Sequence, residues 1–163
     1  MDEHTYRLSD TAPVNRKDPT KKHFTVCDKG NHYPVYLAEN PKGNTVLQYR
    51  VDGDLIKDRD VQKCNFLLQN MTLGTVYLVE LKGHALTTAR RQIENTERML
   101  HSDRKGSKVY YRIVYKSGTQ SVRSAAIVKW MDQNPPIDGR KKIIIKEKQL
   151  TEIISRSGSN NAM

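Results

Sequence analysis

"KCNFLLQNMTLGTVYLVELKG" (residues 63–83) holds two apolar runs joined by a short polar connection, and the second run ends with Glu80 and Lys82. Side chains two apart on a strand project to the same face. A carboxylate and an ammonium therefore share one face at the end of a strand that otherwise reads as core. Both runs, CNFLLQN and TVYLVELKG, are short and nearly continuous in apolar residues, the pattern of central strands in a sheet covered on both faces.

Working outward, HFTVC and HYPVYLA alternate polar with apolar residues and carry β-branched or aromatic side chains, so each predicts a strand. ENPKGN is turn chemistry, and NTVLQYRVDGDLI predicts a further strand bent or broken at Gly53. From His84 to His101 the period lengthens. Leu86, Ala89, Ile93, Thr96 and Leu100 recur at three or four residues, which predicts an amphipathic helix. Its outer face carries Arg90, Arg91, Glu94, Glu97 and Arg98, with Glu94 and Arg98 as a favourable i,i+4 pair.

SKVYYRIVYKS alternates as a strand. SVRSAAIVKWMDQ returns to helical spacing through Val122, Ala126, Ile127, Trp130 and Met131, and NPP stops it, because proline lacks the donor and restricts its predecessor. KKIIIKEKQ predicts a late strand and LTEII a short final turn. The order of elements gives an α/β or α+β class, a mixed central β-sheet flanked by helices.

The chain has 163 residues, enough for one domain with a real core. Residues 1–22, with RKDPTKK at 16–22, predict a flexible basic arm, residues 23–156 a single compact unit, and residues 157–163 a disordered tail. No apolar run approaches the roughly 18–20 residues of a membrane span. The opening MDEHTYRLSD lacks the basic and apolar regions of a signal peptide, so a cytoplasmic location is expected. Cys27 and Cys64 have no metal-ligand spacing, even with His23 and His32 near Cys27, and buried free thiols are expected. The formal net charge of +10 attracts polyanions, and it suits nucleic acid, an acidic protein partner or simple solubility.

Glu80 and Lys82 together suggest a chemistry. A carboxylate oxygen suits the hard Mg²⁺ ion, which polarises a phosphodiester and generates hydroxide, while a nearby ammonium stabilises the developing charge. The preceding strand should bring a second acid to the same place, and the position that does so is Asn65. The plainer alternative is an exposed ion pair at a strand end, worth about 1 kcal/mol or less.

CNFLL, followed by VYLVELKG and then ARRQIENTERML, resembles the PD-(D/E)XK nuclease superfamily, and its small stand-alone members in particular. There the pattern is C-D-F/Y-L-(L/I), a short hairpin, V-E-L-K-G and a helix containing glutamine. The resemblance spans residues 45–117 and implies a restriction-endonuclease-like fold. It also implies roles: Glu80 as a ligand of Mg²⁺ or Mn²⁺, with the backbone carbonyl of Leu81 as a second contact; Lys82 orienting the attacking water; and Gln92 lining the site. A further upstream acid, Glu39 or Asp52, is implied without a choice between them.

Asn65 departs from the pattern, since an amide oxygen touches Mg²⁺ without bringing charge. Three explanations stand: a deliberate Asp→Asn exchange, a natural silent member that keeps binding, or substitution by a neighbouring acid among Asp52, Asp54, Asp58 and Asp60. Arg90, Arg91 and Arg98 form either a solvated helix face or a phosphate-binding one, as do Arg104, Lys105 and Lys108 in the following turn. Tyr110, Tyr111 and Tyr115 fit sheet packing better than base stacking, and Trp130 fits core. DGDLIKDRD lacks the order of a calcium loop, and no glycine-rich phosphate loop or Ser/His/Asp nucleophile arrangement is present. The expectation is a Mg²⁺-dependent nuclease-type domain acting on DNA, weakened at Asn65. The alternative is a silent module that binds nucleic acid or an acidic protein. A homodimer is compatible with either.

Overall fold

The two quoted segments form neighbouring antiparallel strands of one sheet, with the strand before them at its edge. The computed structural model describes residues 7–28, 32–82, 86–100, 106–117 and 124–156. Along the chain come β1 (His23–Cys27), β2 (Val35–Glu39), β3 (Val46–Arg50), β4 (Phe66–Asn70), β5 (Thr75–Lys82), α1 (Leu86–Met99), β6 (Lys108–Tyr115), α2 (Ala125–Asp132), β7 (Ile143–Glu147) and β8 (Gln149–Ile153). A five-stranded sheet has the order β3-β4-β5-β6-β7, and a three-stranded sheet the order β1-β2-β8. In the larger sheet β3–β4 and β4–β5 pair antiparallel, while β5–β6 and β6–β7 pair parallel. The fold is mixed α+β.

Its layering differs from a central sheet with helices on both faces. Both helices lie on one face, where Val76, Leu78, Leu86, Ala89, Ile93, Ile113, Ile127 and Trp130 share one core. The three-stranded sheet covers the other face, where Phe24, Val26, Tyr36, Leu68, Tyr77, Val79, Tyr110, Val114 and Leu150 make a second core. This explains the unbroken apolar run of β5, whose odd and even positions each meet a dry layer. It also explains the alternating exposure of β1, which turns one face to solvent. Among the described residues, no helix is long and apolar enough to cross a membrane.

LTEII is strand, not a final turn. Lys148 adopts a positive φ of 65°, ending β7, and its N–H bonds to Tyr115 O while its carbonyl accepts from Val35 N. That one left-handed residue moves the chain from one sheet to the other, where β8 pairs in parallel with β2. In the β4–β5 turn, Asn70 Oδ1 accepts from Leu73 N at 3.0 Å and Nδ2 donates to Ile154 O at 3.0 Å. A turn residue thereby ties the two sheets together. The second helix opens at Ser124, whose Oγ accepts from Ile127 N. Ala126, expected on its apolar stripe, is exposed, and Val122 lies outside the described residues.

The expected basic arm is docked from residue 7 onward. Leu8 is buried in the helix-side core. Residues 14–19 run along the outer edge of β3: Val14 N donates to Gln48 O and Val46 N to Pro19 O, while Asn15 bonds Val46 O at 2.7 Å and Gln48 N at 2.8 Å. These bonds satisfy backbone groups that an edge strand otherwise leaves open. Residues 1–6 and 157–163 lie outside the described residues.

Charge is also buried between the sheets. Glu152 of β8 accepts from Arg112 Nε of β6 and from Tyr36 Oη of β2, both at 2.6 Å, and from Arg140 Nη1 at 3.3 Å. Arg112 and Glu152 are 0% exposed and Arg140 2%. The Arg112 guanidinium also lies over the stacked rings of Tyr77 and Tyr110. Burial works against the charged form of Arg112, but Glu152 beside it holds its pKa above the ordinary value. Burial and Glu152 together push the Tyr36 phenol well up, so it stays a donor.

Candidate functional site

Asn65 and Glu80 meet because of strand register. The last β4–β5 pair is Phe66 with Val79, so Asn65 and Glu80 are the next residues outward on the two strands, and Glu80, in step with Val76 and Leu78, points to the helix-side face. Lys82, two residues on, shares that face. The Asn65 carbonyl accepts from Val51 N at 2.8 Å, and its side-chain Oδ1 accepts from Leu81 N at 2.8 Å. The residue is therefore fixed from both neighbouring strands.

Glu80 is 2% exposed. Its Oε2 lies 3.6 Å from Lys82 Nζ, and Lys82 is 21% exposed. Burial pushes the Glu80 pKa up to about 8. Lys82 and the Asn65 backbone N–H oppose that rise, while the charge of Asp28 adds to it. Glu80 Oε1 is buried with no hydrogen-bond partner among the described residues. The neighbouring Cys64 thiol is buried and pushed up by desolvation and by Glu80, so it is inert. Both cysteines are free, but Cys27, expected to be buried, is exposed.

Gln92 faces the same region from α1. Its Nε2 donates to Lys63 O at 3.2 Å, and its Oε1 is buried without a partner among the described residues. The same helix holds the approach to β4 through Thr96, whose Oγ1 accepts from Cys64 N at 2.8 Å. Lys63 is 7% exposed, and its ammonium donates to Asp58 O at 2.7 Å and Val61 O at 3.0 Å. Asp52 lies 3.6 Å from that ammonium.

Next to Asn65 is a cleft of about 340 Å³ lined by Cys27, Asp28, Arg50, Asp52, Asn65 and Phe66. Of the acids in the 52–60 loop, Asp52 is the one that lines it. Glu39 does not: it sits at the far end of the β1–β2 ladder from Cys27, paired with His23 at 2.6 Å. Membership of β2 in the second sheet is what carries it away. Asp28, Arg50 and Phe66 had no signal in the sequence as site residues, because the first comes from another sheet and the other two from ordinary strand ends.

The expected basic contacts divide. Arg90 pairs with Glu94 at 3.2 Å and lies over the Trp130 ring. Arg98 donates to Asn95 Oδ1 at 2.5 Å, and Arg91 is exposed. Lys108 pairs with Asp138. Arg104 and Lys105 lie outside the described residues.

The chemistry of the donors decides how well a divalent ion fits. The unpartnered Glu80 Oε1 suits a cation. Asn65, however, is neutral and its oxygen already accepts from Leu81 N, while Asp52 faces the Lys63 ammonium. Among the described residues, no three His, Cys, Asp or Glu side chains gather to hold a metal. The set is one carboxylate short of a Mg²⁺ site. No protein-family model, no curated protein and no solved structure matches the chain.

Proposed function

We propose that the chain is a PD-(D/E)XK-type, restriction-endonuclease-like nuclease domain acting on DNA phosphodiesters, with turnover suppressed at Asn65. The observation that carries this reading is the convergence of Asn65, Glu80 and Lys82 at one end of adjacent strands. The order β3-β4-β5, helix, parallel β6 and the approach of Gln92 from α1 support it. Glu80 is the metal-binding acid in this account. Lys82 stabilises charge on the phosphate, and Mg²⁺ or Mn²⁺ is held productively only when position 65 carries a carboxylate.

The test is Asn65→Asp with Mg²⁺ or Mn²⁺ on single-stranded and duplex DNA. Metal-dependent cleavage is expected to appear, and Lys82→Ala in the same background should abolish it. A second reading, a silent module that keeps the fold for binding nucleic acid or an acidic protein, is favoured by the engaged Asn65 oxygen and by a Glu80 held largely protonated at neutral pH. Lack of cleavage by a folded Asn65→Asp protein selects that reading.

A further inference from the structure

Glu80 is 2% exposed, so a backbone phosphate on the outside of a rigid duplex does not reach it. The cleft beside Asn65 opens at that end of the sheets, next to Phe66 of the inter-sheet side. Its volume of about 340 Å³ falls at the lower end of the roughly 300–1,000 Å³ that holds small organic ligands. That is room for one nucleotide and not for a duplex.

The lining fits that occupant. Arg50 and Phe66 are cross-strand partners on β3 and β4, so a guanidinium and an aromatic ring stand side by side. Arg50 is exposed and Phe66 is partly buried against the inter-sheet core. A guanidinium takes a phosphate with two donors, and an aromatic ring stacks on any base. Asp28 and Asp52 also line it, as acceptors for base amino and imino groups. The Lys63 ammonium 3.6 Å from Asp52 offsets one of those charges. Acid on one part of the wall and Arg50 on another set the orientation, with phosphate toward Arg50 and base edge toward the carboxylates.

We propose that this cleft seats one unpaired nucleotide beside Asn65, so that the ligand is single-stranded DNA or a frayed end rather than intact duplex. The proposal rests on the nuclease-type reading and names its substrate class.

The test measures binding of the full chain, by fluorescence anisotropy without divalent metal, to a short labelled single strand and to the same strand in a blunt duplex. The single strand should bind roughly ten-fold tighter, and Phe66→Ala should remove about that factor. Because Phe66 also contributes to the core, Arg50→Ala, at an exposed position, decides separately: single-strand affinity should fall about ten-fold with duplex affinity unchanged. Equal or tighter duplex binding, or single-strand binding indifferent to Arg50→Ala, overturns the cleft assignment while the nuclease-type reading stands. Absence of salt-sensitive binding to either DNA overturns that reading and the cleft with it.

Discussion

The Asn65 amide oxygen accepts a hydrogen bond from the backbone N–H of Leu81 at 2.8 Å, beyond the last ladder pair, Phe66 with Val79, between their strands. The side chain therefore extends the sheet by one rung and holds Glu80 opposite it. The residue that departs from the nuclease pattern is also a structural part of the site.

This double role makes a prediction about stability. Asn65→Ala leaves the part-buried Leu81 N–H without its acceptor, at a cost of roughly 1–3 kcal/mol. Asn65→Asp keeps an acceptor there and should retain most of that stability. Urea denaturation of both proteins tests it. Equal losses in the two variants would show that the amide oxygen has no part in holding the strands.

Glu80 gives a pH dependence of definite sign. Its folded pKa of about 8 stands above the ordinary 4.5, so between those values the folded chain binds a proton that the unfolded chain has released. The contribution is fully present below about pH 4.5, declines as pH rises and is lost by about pH 8. The total is on the order of a few kcal/mol. Glu80→Gln is neutral throughout and lacks this decline. Thermal unfolding of wild type and Glu80→Gln should diverge as pH rises from 5 to 8, with the variant gaining relative stability; parallel curves would contradict the burial argument.

How much of this was legible in the sequence depends on distance along the chain. Glu80 and Lys82 shared a face by strand period alone, and β4, β5 and α1 followed from apolar spacing in one continuous segment. Nothing local marked the second sheet, because pairing of β2 with β8 joins residues more than a hundred positions apart. Lys148 was unreadable as a switch between sheets, since lysine gives no signal for a positive φ. Asn15 reads as part of a polar arm until β3 is present beside it. Asp28 reaches the cleft only through the packing of the two sheets. Arg112 and Glu152 stand as single charges inside YYRIVY and LTEII, and nothing local joined them into a pair.

The buried pair itself is testable by its non-additivity. Glu152→Ala leaves Arg112 and Arg140 as uncompensated buried cations and should cost roughly 3–5 kcal/mol. Replacing Arg112, Arg140 and Glu152 together with apolar residues of similar volume removes the charges as well as their attraction, and should cost less than the single change. Denaturant midpoints of the two proteins provide the comparison. A triple variant less stable than Glu152→Ala would mean that the ion cluster gives net stability to the packing of one sheet on the other.

Residues 14–19 close the edge of the larger sheet. Asn15 bonds both Val46 O and Gln48 N, and Val14 N and Pro19 O bond the remaining edge groups of β3. A bare β3 would offer those groups to another chain as a template for pairing. Asn15→Ala removes two of the bonds and should cost about 1–3 kcal/mol, with faster amide exchange at Gln48, the edge N–H that Asn15 protects. Val46, whose N–H is held by Pro19 O, should keep more of its protection. Deleting residues 1–19 strips the edge entirely, and concentration-dependent self-association should appear in sedimentation. If the truncated chain stays monomeric with unchanged exchange at Val46 and Gln48, the segment is not what protects this edge.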